Sequence, residues 1–157
     1  MDAILYIIKI VRAEGLLESW MKERHDKDCY PPTIINITDG EYNCVTYDEM
    51  LQLANQLKSM FTNDGNVLFF NIHIVPGHSE SVVFPATVGE LNGNGYGEKL
   101  FNMSSLLPLN YNELIKEIFG DRQTDIRYRA MGVNAGMERL VKMMKIGTLS
   151  STLANQL

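Results

Sequence analysis

The sequence predicts an α/β domain with three layers, α/β/α, around a mainly parallel β-sheet. Segments of helical and of strand character alternate along the chain, which is the order that places helices on both faces of a parallel sheet. The two clearest strand segments, residues 33–37 and 67–75, are apolar with little polar alternation. Such segments are typical of strands that are covered on both faces.

The chain begins with an amphipathic helical pattern. Apolar residues recur at spacings of three and four over the first 25 residues, at Ile4, Ile7, Ile8, Val11, Leu16, Trp20 and Met21. Lys9 and Arg12 interrupt the apolar character, so we expect neither a signal peptide nor a membrane span. Pro31 and Pro32 end the helical pattern before the first strand.

A second helix and a second strand follow. Thr46 and Glu49 have the spacing of a capping box, and the apolar residues after them, Met50, Leu53, Ala54, Leu57 and Met60, have helical spacing. Residues 63–66 predict a turn, and residues 67–75 predict the second strand. Residues 76–97 are rich in glycine and asparagine and predict a long surface connection with a short strand at 82–84.

The last part of the chain predicts three helices and a third main strand. The helical stretches are 98–107 and 111–119, the second with Asn110 and Glu113 at cap spacing and Gly120 at its end. Residues 126–134 predict the strand, and the apolar residues of the last helix are Met137, Leu140, Val141 and Met144. Residues 147–157 are small and polar, and we expect them to form a flexible tail of a single domain that spans residues 1–157.

Composition and charge narrow the classes of partner. The chain has 157 residues, of which 45% are hydrophobic and 21% are charged, as in one globular domain. Cys29 and Cys44 are too few for a disulfide framework or a zinc site, so we expect reduced, structural thiols. The net charge is −5, and no cluster of Lys and Arg forms a patch for phosphates. We therefore expect a cytoplasmic protein with neither a nucleic acid nor a membrane as partner.

Asp39 comes directly after the first predicted strand. Ligands of open parallel sheets bind beyond the carboxyl ends of the strands, so we expect the Asp39 carboxylate to face that crevice. Gly40 permits a tight turn there, and Glu41 lies nearby. The alternative is a turn in which the Asp39 side chain caps backbone amides.

The segment PPTIINITDGEYN, residues 31–43, leads into a capped helix and then the strand VLFFNIHIV. This arrangement resembles the second half of a von Willebrand factor A domain, in particular the bacterial intracellular members. In that family, a strand ending in Thr-Asp-Gly-Glu carries the last acidic residue of the metal-ion-dependent adhesion site. The resemblance implies that Asp39 is this residue, with Thr38, Gly40 and Glu41 as neighbours. It also implies a Rossmann-like fold and a module that binds proteins and catalyses no reaction.

The other metal ligands of the family do not occur in this sequence. The site normally needs Asp-x-Ser-x-Ser on the first strand and a Thr before the helix that precedes the Thr-Asp-Gly strand. The chain thus resembles a domain without its N-terminal half. Magnesium requires nearly octahedral oxygen coordination, and in the family the residue matching Asp39 typically reaches the ion through water. We therefore expect Mg²⁺ or Mn²⁺ to bind to the isolated chain very weakly or not at all.

The absent first strand has a second consequence for the predicted sheet. In the whole fold that strand lies beside residues 33–37, so its absence exposes a strand edge with unpaired backbone groups. Such edges pair readily with other chains. We expect the edge at 33–37 to bind a protein partner or a second copy of the chain, which would make a homodimer.

The runner-up function is a small metal-dependent hydrolase. It requires Asp39, Glu41, His73 and His78 to converge on one ion, whereas a simpler interpretation of His73 is a partly buried histidine held by a hydrogen bond. A triad of Ser79, His78 and Asp39 lacks a nucleophile elbow. The motif NGNGYG, residues 92–97, lacks the Lys-Ser/Thr pair of a phosphate loop and predicts a flexible surface connection.

Overall fold

The computed structural model describes residues 3–24, 29–39, 46–77 and 80–148, and it describes side chains from residue 13 onward. In chain order its elements are α1 (Ala3–Arg24), β1 (Thr33–Thr38), α2 (Tyr47–Ser59), β2 (Phe61–Thr62), β3 (Gly65–Asn66), β4 (Leu68–His73), β5 (Val82–Val83), α3 (Gly95–Met103), α4 (Asn112–Phe119), β6 (Met131–Val133) and α5 (Met137–Gly147). Short 3₁₀ turns precede α3 at Val88–Leu91 and α4 at Leu109–Tyr111. The predicted α/β fold class is confirmed.

The main sheet has the strand order β1-β4-β6-β5. The first three strands are parallel, and β5 runs antiparallel to β6. β1 and β4 pair over six residues, from Thr33 opposite Leu68 to Thr38 opposite His73. The carboxyl ends of the parallel strands therefore lie together, and this side is called the carboxyl end of the sheet. β2 and β3 form a separate small hairpin.

Each face of the sheet carries its own core. One core joins α2 and α3 to the sheet through side chains such as Phe69, and the other joins α4 and α5 through side chains such as Phe70. Phe69 and Phe70 are each 1% exposed, because neighbouring side chains of a strand point to opposite faces and helices cover both. This coverage explains why the sequence of β4 shows little polar alternation.

Two predicted helix ends are confirmed in detail. The Thr46 hydroxyl oxygen accepts a hydrogen bond from the Glu49 amide at 3.3 Å, and the Glu49 carboxylate accepts one from the Thr46 amide at 2.9 Å. This is the capping box that begins α2. Gly120 ends α4 with φ at 78°, a conformation that favours glycine.

The predicted helix at 98–107 is wrong at both ends. Residue 95 begins α3 and residue 103 ends it. The next residues lie extended against β4, because the Ser105 amide donates to the Phe69 carbonyl at 2.9 Å and the Ser105 hydroxyl accepts from the Phe69 amide at 2.8 Å. The predicted strand at 126–134 is likewise shortened to Met131–Val133. Long-range pairing decided both outcomes.

The last helix is confirmed, but its buried face differs from the prediction. Met137, Val141 and Met144 are exposed, Met137 by 76%, whereas Met143 and Ile146 are buried. The first residue of the predicted tail at 147–157 belongs to the helix instead. Gly147 is the last residue of α5 and is buried, and a Cβ there would lie 3.0 Å from the Phe70 ring. Residues 149–157 lie outside the described residues.

Among the helices of the described ranges, none is both long enough and apolar enough to span a bilayer.

Candidate functional site

Asp39 lies at the carboxyl end of the sheet, as predicted. Thr38, its neighbour on β1, is 2% exposed and pairs with His73 of β4, whereas Asp39 itself is exposed in a bend after the strand. The Thr38 carbonyl accepts a hydrogen bond from the Ile74 amide at 2.8 Å, which fixes the strand up to the residue before Asp39. The carboxylate thus follows a rigid, buried strand end.

His73 is buried beneath the start of α3. The side-chain nitrogen of Asn94 lies 3.3 Å from Nδ1 of His73, and the side-chain oxygen of Asn94 accepts from the Gly97 amide at 2.9 Å. An amide nitrogen can only donate, so Nδ1 of His73 is the acceptor and the ring proton of the neutral form lies on Nε2. The Tyr96 ring contacts the imidazole edge to face, with centroids 5.1 Å apart. The interpretation of His73 as a buried histidine with a hydrogen bond is confirmed.

The residues of the hydrolase hypothesis are only partly described. Gly40, Glu41, His78 and Ser79 lie outside the described residues. Of the remaining pair, Asp39 is exposed, while His73 is buried against Asn94 and Tyr96. Within the described ranges, no group of three or more His, Cys, Asp or Glu side chains is placed to hold a metal ion. Asp39 alone does not fit the oxygen-rich shell that Mg²⁺ requires.

The motif at 92–97 is an ordered helix start, so the prediction of a flexible surface connection is wrong. Asn92 and Gly93 have φ values of 52° and 74°, and these left-handed conformations turn the chain into α3. Asn94 then caps the helix. A Cβ at Gly97 would lie 3.0 Å from the Asn94 side chain, so a larger residue there would crowd the cap.

A cavity of about 250 Å³ opens at the carboxyl end of the sheet. Its apolar lining comes from strand ends and the turn before α3, namely Val75, Val82, Leu91 and Val133. Its polar lining consists of Glu80, Glu90, Asn92, Asn94 and Asn134, with Gly93 between them. The cavity lies on the β6 side of His73, whereas Asp39 lies on the β1 side. The two features are distinct parts of the same end of the sheet.

Asn134 closes the sheet beside this cavity. Its amide donates to the His73 carbonyl at 2.8 Å, and its side-chain oxygen accepts from the Val75 amide at 2.7 Å. Its φ of 47° is left-handed, which asparagine tolerates better than most residues. Asn134 therefore joins the ends of β4 and β6.

A buried polar chain connects β1 to α3 behind the carboxyl end. The Asn36 side chain donates to the Asn71 side-chain oxygen at 2.9 Å, and the Asn71 side chain donates to the Ser104 hydroxyl at 3.0 Å. The sequence patterns did not predict this chain of hydrogen bonds. One signal was present, since each apolar strand segment contains one asparagine, and the two asparagines are opposite each other in the sheet.

Strongly shifted pKa values occur away from the predicted site. Burial, together with the positive charge of Arg129, lowers the pKa of Lys58 to about 8. Burial, together with the negative charge of Asp64, raises the pKa of Tyr111 to about 12. Lys58 lies in the last turn of α2 and Asp64 in the turn between β2 and β3, so both lie toward the amino end of β4.

Comparisons with known proteins identify no relative: no family model, no curated protein and no solved structure matches the chain. The fold therefore comes from the structure alone, and membership of the von Willebrand factor A family stays a prediction from residues 31–43.

Proposed function

We propose that the chain is a non-enzymatic protein-interaction module that resembles a von Willebrand factor A domain and binds through the edge strand β1. Its occupant is a second copy of the chain or a partner protein that adds a strand. The free edge of β1 supports this proposal most directly. Among the described residues, β4 pairs with one side of β1 and no strand pairs with the other.

The hydrogen-bond pattern identifies the groups that face outward. The carbonyls of Pro32 and Thr38 accept from the amides of Leu68 and Ile74, so the even-numbered residues of β1 bond to β4. In a parallel strand, one residue directs both its N–H and its C=O to the neighbouring strand on one side, and the next residue directs both to the other side. The backbone groups of Thr33, Ile35 and Ile37 therefore point away from β4, in the geometry that strand addition requires.

The side chains of this edge also favour a protein partner. Ile37 is 46% exposed, and no charged residue interrupts β1. Natural proteins commonly protect exposed edges with charges, prolines or bulges. A two-fold axis perpendicular to the sheet beside β1 would pair β1 antiparallel with β1 of a second copy and extend the sheet through both chains.

Asp39 lies at the carboxyl end of the same strand and forms an incomplete metal site in this proposal. The exposed carboxylate would hold a metal ion only together with further metal ligands from beyond the described residues, such as oxygen groups of the bound chain. Mg²⁺ or Mn²⁺ then binds weakly or not at all to the chain alone. The activity supported by this arrangement is binding.

Sedimentation velocity over a concentration series tests the proposal. We expect the wild-type chain to dimerise and Ile37→Lys to remain monomeric, because a lysine on the edge opposes strand pairing. Ile74→Lys is the matched control, since Ile74 is 47% exposed but lies on the chain after β4. Equal dimerisation of both variants would overturn the role of β1. A wild-type chain that stays monomeric at every concentration would exclude the second copy as the occupant.

A further inference from the structure

The cavity at the carboxyl end of the sheet has a size suited to one side chain. Small-molecule sites usually enclose about 300–1,000 Å³. The volume of about 250 Å³ falls below that range. A volume of this size matches a single extended side chain.

The lining combines an apolar floor with an acidic rim. Val82, Leu91 and Val133 supply the apolar surface, and Glu80 and Glu90 supply two carboxylates. Among the described residues, the lining contains no Lys, Arg or His. The side chains of lysine and arginine match this lining, because each has an apolar stem that ends in a positively charged head.

Each carboxylate retains an oxygen for a ligand. In Glu90, Oε1 accepts from the amides of Ala86 and Thr87, both at 2.8 Å. In Glu80, Oε2 accepts from the Asn92 side chain at 2.7 Å. Within the described residues, neither Oε2 of Glu90 nor Oε1 of Glu80 accepts a hydrogen bond. These bonds hold both carboxylates in place while leaving acceptors for a cation.

We propose that this cavity receives the lysine or arginine side chain of a protein partner. The stem lies on the valine and leucine floor, and the charged head binds Glu80 and Glu90. The net charge of −5 attracts a basic segment over a longer range. This inference rests on the proposed binding function, and it names the chemistry of the partner at a surface separate from β1.

Titration of the ¹⁵N-labelled chain with blocked tripeptides tests the proposal. The probes are Gly-Lys-Gly and Gly-Arg-Gly, and the uncharged controls contain norleucine or citrulline at the centre. We expect saturable shifts of the Asn92, Gly93 and Asn134 amides with the two cationic peptides only. We expect Glu80→Gln to weaken this binding about tenfold, because it removes the charge but keeps an oxygen for Asn92. Glu113→Gln, at an exposed position of α4, is the matched control and should leave the affinity unchanged.

Two results would overturn the proposal. One is the absence of saturable shifts with either cationic peptide, and the other is equal binding of the norleucine peptide. Both use the wild-type chain and so do not depend on how the variants fold. Repeating the titration on Ile37→Lys separates the two hypotheses, because that change alters β1 and leaves the cavity lining intact. Binding that persists in the monomeric variant supports the cavity independently of strand pairing.

Discussion

The two lateral edges of the sheet differ in length and in protection. β1 has six residues and directs the backbone groups of three of them away from its neighbour. β5 has two residues and is followed directly by Phe84, which is buried with φ at 51°. A phenylalanine in the left-handed region cannot continue a strand, so β5 offers little backbone for pairing.

Arginine side chains further cover the β5 edge. Arg122 donates to the Val83 carbonyl at 2.7 Å, and Arg139 donates to the Ser81 carbonyl at 3.4 Å and to its hydroxyl at 3.1 Å. These groups occupy acceptors that an added strand would need, and they place charge on the edge. Among the described residues β1 has no such cover. The contrast predicts that a strand added to this sheet binds at β1 and not at β5.

The largest predicted effect is on the attachment of β1. Asn71→Ala removes the acceptor of Asn36 and the donor to Ser104, and it leaves a small void in the core. We expect a loss of about 3 kcal/mol in the free energy of unfolding, measured by urea denaturation. Hydrogen exchange should accelerate at the Ile34 and Asn36 amides, which bond to β4, more than at the amides of β6.

An exposed asparagine provides the control for this prediction. Asn55 lies on the outer face of α2, so Asn55→Ala should change the free energy of unfolding by less than about 0.5 kcal/mol. A loss below about 1 kcal/mol for Asn71→Ala would mean that the polar chain does not hold β1 on the sheet.

A smaller effect is expected when the β5 edge is uncovered. Arg122→Ala removes the hydrogen bond to Val83 and the contact of the guanidinium with the Tyr128 ring, 5.5 Å from its centroid. We expect a loss of about 1.5 kcal/mol in the free energy of unfolding. Sedimentation should reveal species larger than the dimer proposed for the wild-type chain, because a second edge becomes available. Arg127→Ala is the control, since Arg127 is exposed. Larger species in that variant as well would contradict the role of Arg122 in covering the β5 edge.

Local signals explain why much of the fold could be predicted from the sequence. The capping box at Thr46 and Glu49 determines the start of α2 through contacts within one turn. The length of the apolar segments and their lack of polar alternation were enough to predict β1 and β4 as strands. The position of Asp39 followed from the same strand, because a residue after a parallel strand lies at the carboxyl end.

Tertiary contacts decided the features that the sequence did not predict. Ser105 leaves the helical pattern because it pairs with Phe69 across 36 residues. Val141 and Met144 have helical spacing, but Met143 and Ile146 fill the space above the sheet. The acidic cavity combines Glu80, Glu90 and Asn134, which are distant in sequence, and only the folded sheet brings them together. Neither periodicity nor a short motif contains that information.

The smallest predicted effect concerns Asp39 at the end of the open edge. Its side chain is exposed, so Asp39→Ala should change the free energy of unfolding by less than about 0.5 kcal/mol. Calorimetric titration with Mn²⁺ should give the same weak heats for wild type, Asp39→Ala and the control Asp121→Ala, which removes an exposed carboxylate elsewhere. Tight binding that persists in the monomeric Ile37→Lys chain and that Asp39→Ala abolishes would instead indicate a complete metal site within one chain and favour the hydrolase. If a bound chain supplies the missing oxygen ligands, tight Mn²⁺ binding should require the dimer or a partner and be lost in Ile37→Lys, because one carboxylate holds the ion too weakly alone.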